Sequence, residues 1–142
     1  MHIVFGGAFN GKRQYVKELA GDREAVWYEG ELPKEAAPLV VAAGLENWIK
    51  AQLQNGTDEK KIVQMVEKAI ARQAPKRQIW ILTDLNRGIV PADPLEREMR
   101  DVVGRLYQQM FTAAESVTRI WYGIPETLKG ADLHENLYKN GR

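Results

Sequence analysis

Gly6-Gly7-Ala8-Phe9-Asn10-Gly11-Lys12-Arg13 is the stretch from which the rest of the sequence is read. An apolar run, His2-Ile3-Val4-Phe5, precedes it, and a helical pattern opens near Lys12. Strand, glycine-rich turn, lysine and helix follow one another in this order in a phosphate-binding loop. The physical reason is specific. Glycines allow a tight bend that turns several backbone N–H groups toward one anion, and the new helix adds the positive end of its dipole. Lys12 then offers a point charge to the outer phosphates. Gly6, four residues, Gly11 and Lys12 fit the spacing of the pattern, but Arg13 stands where it asks for Ser or Thr. That hydroxyl ordinarily ligates the Mg²⁺ carried with the nucleotide. A guanidinium is donor-only and always charged, so no residue here is assigned to a metal. A plain strand-to-helix turn with a surface lysine is the bland alternative. The position straight after a strand-like run favours phosphate binding by residues 6–13.

Outward from the loop, Tyr15, Val16 and Leu19 line one face of a helix that Gly21-Asp22 ends. Residues 25–28 read as a short strand, 29–37 as a connector with Gly30 and Pro33, and 38–43 as an apolar strand covered on both faces. Helices are expected over 45–53 and from Thr57, as N-cap, to Pro75. The run RQIWILT at 77–83 is the strongest strand, and Asp84 closes it. A loop at 84–94 leads into a long helix over 95–116, a last strand over 117–122, and a polar tail over 124–142. Strands alternating with helices predict one three-layer α/β domain over 1–142, a mainly parallel sheet flanked by helices. Ligands of such sheets sit beyond the carboxyl ends of the strands, a rim shared by the loop, Tyr28-Glu29, Ala43-Gly44 and Asp84.

With 142 residues the chain has the length of one domain, and it has no cysteine, which excludes disulfides, zinc-thiolate sites and a thiol nucleophile. A net charge of +1 with mixed signs gives no basic stripe for nucleic acid. The apolar start is too short for a signal peptide and no run reaches membrane-spanning length, so a cytoplasmic protein is expected.

A second motif follows the strongest strand: Gly88-Ile89-Val90-Pro91, then Leu95, Arg97, Arg100-Asp101, Gly104-Arg105 and Gln108. Arg97 and Arg100 share roughly one helical face, with Asp101 beside them; alone, this reads as a solvated face with an Arg97–Asp101 pair. Taken with the loop, GGAFNGKR and GIVPADPLEREMRDVVGRLYQ resemble the bifunctional adenosylcobinamide kinase / adenosylcobinamide-phosphate guanylyltransferase family of cobalamin biosynthesis. Members carry a GGxxSGKS-type loop and a GIVP…LxRxFRDxxGRxNQ run. The resemblance implies a P-loop fold, GTP or ATP as nucleotide, a corrinoid substrate, and a homo-oligomer, reportedly a trimer. It places Lys12 and Asp84 in catalysis, residues 6–13 on the nucleotide, and Arg97, Arg100 and Asp101 near substrate.

The departures are as informative. Arg13 replaces the loop serine. The acidic residue that closes the family's third strand is Ala43 here. The histidine that carries the guanylyl group in the family has no counterpart, since the two histidines are His2 and His134 and the connector at 29–37 is too short for its helix. A covalent transfer needs that nucleophile, so guanylyl transfer is expected to be lost. Two alternatives stand beside this reading: a non-catalytic nucleotide- or corrinoid-binding regulatory or assembly relative, and an unrelated small-molecule kinase. Of the remaining candidates, His2 is expected at a surface or sheet end, and His134 in the tail. Trp27, Trp48, Trp80 and Trp121 are expected in packing. Glu46 is expected to serve its helix dipole, with replacement of the missing carboxylate as the alternative.

Overall fold

The computed structural model describes residues 1–85 and 92–131. Six strands, β1 (His2–Gly6), β2 (Val26–Glu29), β3 (Val40–Ala43), β4 (Gln78–Thr83), β5 (Ser116–Trp121) and β6 (Ile124–Lys129), form one sheet in the order β2-β3-β4-β1-β5-β6. The first five run parallel and β6 pairs antiparallel with β5. Four helices connect them: α1 (Lys12–Ala20), α2 (Leu45–Gln54), α3 (Glu59–Ala71) and α4 (Pro94–Ala113). The expected α/β architecture with a mainly parallel sheet is the one observed.

Right-handed crossovers decide which face each helix takes. From β1 the chain moves by way of α1 to β2 at the far edge, whereas α2, α3 and α4 accompany moves in the opposite direction. So α1 is, among the described residues, the helix on one face, where Val16 and Leu19 meet Val4, Val41, Ile79, Ile81 and Ile120. The other three helices cover the second face, where Ile49, Ile62, Val66, Val102 and Leu106 meet Ile3, Trp80 and Leu82. Alternation along each strand sends neighbours to opposite layers, as Trp80 and Ile81 show. The connections leave adjacent β1 and β4 in opposite directions. Their carboxyl ends therefore flank the crevice where open α/β sheets take ligands.

Several expectations are corrected. The first six residues of the expected tail are strand β6. Its side chains are all exposed, so no buried face imposes an apolar pattern on it, and Pro125 is tolerated at a sheet edge. The two-residue turn into it is Tyr122-Gly123, with φ of 50° and 78°. Both are positive, as a tight hairpin turn requires, but Tyr-Gly lacks the usual Asn-Gly or Asp-Gly signature. Helix α3 is capped by Asp58, whose carboxylate accepts from Lys61 N–H at 2.8 Å, while the Thr57 hydroxyl donates to Gln52 Oε1. The long helix ends at Ala113, three residues early.

His2 does lie at a sheet end, but buried, with Nδ1 2.8 Å from Ser116 Oγ. Trp48 and Trp80 are core residues, Trp27 is half-buried, and Trp121 is 47% exposed on the edge hairpin rather than packed. Gly88, Pro91 and His134, with the end of the tail, lie outside the described residues. Among the described residues no helix is long and apolar enough to cross a membrane.

Candidate functional site

At the end of β1 the chain enters its glycine-rich loop in a space that only glycine fits. A Cβ on Gly6 would stand 2.5 Å from the backbone oxygen of Ile120. Gly11 is the N-cap of α1 with φ 85°, and it gives the helix no side-chain cap. The first helical hydrogen bond runs from Tyr15 N–H to Gly11 O, so the amides before it face the loop without intrahelical partners. Two backbone bonds of 2.9 Å hold the loop to its neighbours. Asp84 N–H donates to Gly6 O, and Gly123 N–H, from the edge hairpin, donates to Asn10 O.

Lys12 is 4% exposed, and its ammonium donates to Gly7 O at 2.6 Å. Burial lowers its pKa from the ordinary 10.5, Arg13 lowers it further, and Glu46 opposes both. The cation is thus folded into the loop against a neutral carbonyl, a partner that a phosphate oxygen would outcompete.

Arg13 turns outward. Its Nε and Nη2 donate to Glu29 Oε1 and Oε2, both at 2.8 Å, a bidentate pair that raises the guanidinium pKa and lowers the carboxyl pKa. Glu29 closes β2, and its carboxylate occupies space beside Gly44. A Cβ there would stand 2.6 Å from Glu29 Oε2 and 2.8 Å from Gly30 N, and φ at Gly44 is 73°. Arg13, Glu29 and Gly44 therefore lie together, and the Gly30 backbone together with the positive φ is what holds residue 44 to glycine.

Across the crevice, the Tyr107 hydroxyl donates to Glu46 Oε2 at 3.3 Å. Burial first, then the Glu46 charge, keeps that phenol protonated well above its ordinary range, and Asp84 adds in the same direction. The rim of the sheet thus gathers Lys12, Arg13, Glu29, Glu46, Asp84 and Tyr107. The loop and Asp84 were readable in the sequence. Glu29 was readable on this rim too, though its pairing with Arg13 was not. Tyr107 and the 122–123 turn were not readable, since each meets the loop only through strand order and helix packing. Glu46 stands in the first turn of α2, as the helix-dipole reading expected, and its charge acts on Lys12.

Arg97 and Asp101 lie exposed on α4 and Arg100 is half-buried there. An ion pair of Glu96 with Lys50 ties the start of that helix to α2. Two positions expected to ligate the Mg²⁺ of a nucleotide complex offer no oxygen. The position for the loop hydroxyl holds a cation, Ala43 closes β3 with a methyl group, and among the described residues no three acidic or histidine side chains converge. His2 cannot serve as the missing nucleophile either. It sits at the far end of β1, about 13 Å of strand from the loop, with its ring buried.

A parallel sheet of this order, with a glycine loop and buried lysine at its switch point, defines a P-loop type of α/β domain. Residues 29–128 match the family model for cobinamide kinase / cobinamide phosphate guanyltransferase. The chain belongs to this family. It is 30% identical over 95 residues to the bifunctional adenosylcobalamin biosynthesis protein CobU of Salmonella typhimurium, covering 64% of this chain and 51% of that protein. To the protein of the same description from Escherichia coli it is 33% identical over 61 residues, 43% of this chain and 34% of that one. The chain thus spans about half the length, or less, of the curated relatives it matches. The family match begins at Glu29, so the glycine loop rests on its own geometry.

Proposed function

We propose that this protein binds a purine nucleotide, GTP or ATP, through residues 6–13, and that it is a member of the cobinamide kinase family that has lost guanylyl transfer. One observation carries the reading: a glycine-shaped strand-to-helix loop with a buried, carbonyl-bound lysine, seated beside Asp84 at the switch point of the sheet. Phosphates entering the loop would take the free amides of α1 and exchange the Gly7 carbonyl for a charged partner of Lys12. Support for the loss comes from the 30–39 connector between β2 and β3. It carries no helix, and no histidine stands there. With Arg13 in the metal-ligand position, binding does not depend on Mg²⁺, and Arg13 supplies positive charge in its place. Asp84 and Glu46 are the carboxylates positioned to act on a bound ligand. Arg97, Arg100 and Asp101, on α4, would meet a second substrate of corrinoid type. A cytoplasmic homo-oligomer, a trimer by resemblance, is the expected assembly.

Calorimetric titration with GTP and ATP, with and without Mg²⁺, tests this directly. Binding is expected in both conditions. Incubation with GTP followed by intact-mass measurement should show no guanylylated protein. Strict dependence on Mg²⁺, or a covalent guanylyl adduct, overturns the proposal of a metal-independent, transfer-deficient relative. A second reading, a non-catalytic regulatory or assembly subunit, is favoured by the Arg13–Glu29 pair. The absence of turnover with GTP, ATP and cobinamide in the presence of Mg²⁺ would favour it over a retained kinase.

A further inference from the structure

Phe9 and Tyr122 are, among the described residues, the two non-glycine residues with positive φ, at 62° and 50°. For bulky side chains this is a true outlier, and it costs on the order of 1–3 kcal/mol at each position unless the surroundings enforce it. Burial does not repay it, because Phe9 is fully exposed and Tyr122 is 79% exposed. Neither residue is needed for its turn, which glycine, or asparagine at 122, would form with less strain. The two strained segments are joined, because Gly123 N–H donates to Asn10 O and a Cβ on Gly11 would stand 3.5 Å from Gly123 Cα. Trp121, 47% exposed, ends β5 immediately before that turn, with its ring centre 6.3 Å from that of Tyr122. Exposed aromatic rings on strained backbone therefore border the phosphate loop on the side of the edge hairpin.

We infer that Phe9 and Tyr122 form an aromatic shelf that stacks against the base of the purine nucleotide whose phosphates occupy residues 6–13. The inference rests on the loop reading and deepens it: the loop takes the anion, and the shelf takes the flat heterocycle. Stacking uses a ring face and is tolerant of base identity, so GTP and ATP are both accommodated. Strain kept at an exposed position is repaid by ligand contact rather than by folding.

The test compares GTP, ATP and inorganic tripolyphosphate by calorimetry on the full chain, with thermal unfolding in parallel. Phe9→Gly and Tyr122→Gly are each expected to unfold at or above the wild-type temperature, since glycine relieves the positive φ. Tyr122→Gly should weaken GTP and ATP by roughly 5- to 150-fold while leaving tripolyphosphate affinity unchanged, and Phe9→Gly, inside the phosphate loop, should weaken GTP and ATP more than it weakens tripolyphosphate. Tyr122→Phe keeps the ring and should keep nucleotide affinity. If the glycine variants lose no more affinity for nucleotide than for tripolyphosphate, the shelf is refuted and the loop stands. If the wild-type protein binds none of the three, the loop reading itself fails and takes the shelf with it.

Discussion

Replacing Arg13 by serine separates the two roles that its position can play. In the free protein the guanidinium is held by Glu29 through two 2.8 Å bonds, but the side chains are 43% and 59% exposed. A pair so open to solvent contributes roughly 0.2–1 kcal/mol. Arg13→Ser should therefore change the unfolding free energy by less than about 1 kcal/mol. In the complex, a guanidinium released onto a phosphate makes charge-assisted hydrogen bonds of about 1.5–3 kcal/mol. Subtracting the cost of leaving Glu29 gives a net of about 0.5–2.8 kcal/mol, or roughly a 2- to 100-fold loss of metal-free nucleotide affinity in the serine variant. The new hydroxyl also restores the loop's metal ligand, so the variant should regain affinity when Mg²⁺ is added. Glu29→Gln is the matched control. It frees Arg13 and should tighten metal-free binding by up to about fivefold. Titration of GTP in EDTA, repeated with Mg²⁺, reads all three proteins. Equal metal-free affinities for wild type and Arg13→Ser would refute the idea that arginine stands in for the ion.

Three further outcomes follow from the packing. Gly6→Ala should destabilise the fold by about 2–4 kcal/mol in urea unfolding, because its Cβ would meet the Ile120 backbone oxygen at 2.5 Å and backbone cannot rotate away. His2, buried at the start of β1, has its pKa lowered from 6.5 to about 4, first by burial and then by the N-terminal ammonium, with Lys76 adding and Glu115 opposing. A depressed histidine means that the unfolded chain binds the extra proton, so stability is complete above pH 6.5 and falls as pH drops toward about 4, by up to about 3 kcal/mol. Unfolding curves at stepped pH should show this slope, and His2→Gln should flatten it. Leu106→Ala, at a position 2% exposed between α4 and the sheet, should cost about 2–5 kcal/mol in the same assay without changing nucleotide affinity.

The parts that could be read without coordinates are those whose signal is local. The loop announces itself because glycine conformations, a lysine and a helix start are all adjacent in the chain. Strands β1, β3 and β4 announce themselves because burial on both faces forces unbroken apolar runs such as Ile79-Trp80-Ile81-Leu82. Strand β6 has no buried face, so nothing in Ile124 to Lys129 distinguishes it from a polar tail. Its existence depends on β5 offering an open edge. Trp121 went the same way: its residue type favours burial, and its place on an edge hairpin overrides that preference.

The sequence by itself determined the α/β class, the phosphate-type loop pattern, and that Arg13 and Ala43 stand where the family resemblance implies a hydroxyl and a carboxylate. Each depends on residue identity at a fixed spacing along the chain. Only the tertiary structure decided where Arg13 points, that Glu46 and Tyr107 join Lys12 on the rim, and that the edge-hairpin turn lies against the loop. Those partners are separated by 16 residues for Arg13 and Glu29, by 61 for Tyr107 and Glu46, and by more than 100 for Asn10 and Gly123. Strand order and crossover handedness bring them together, and no local pattern encodes either.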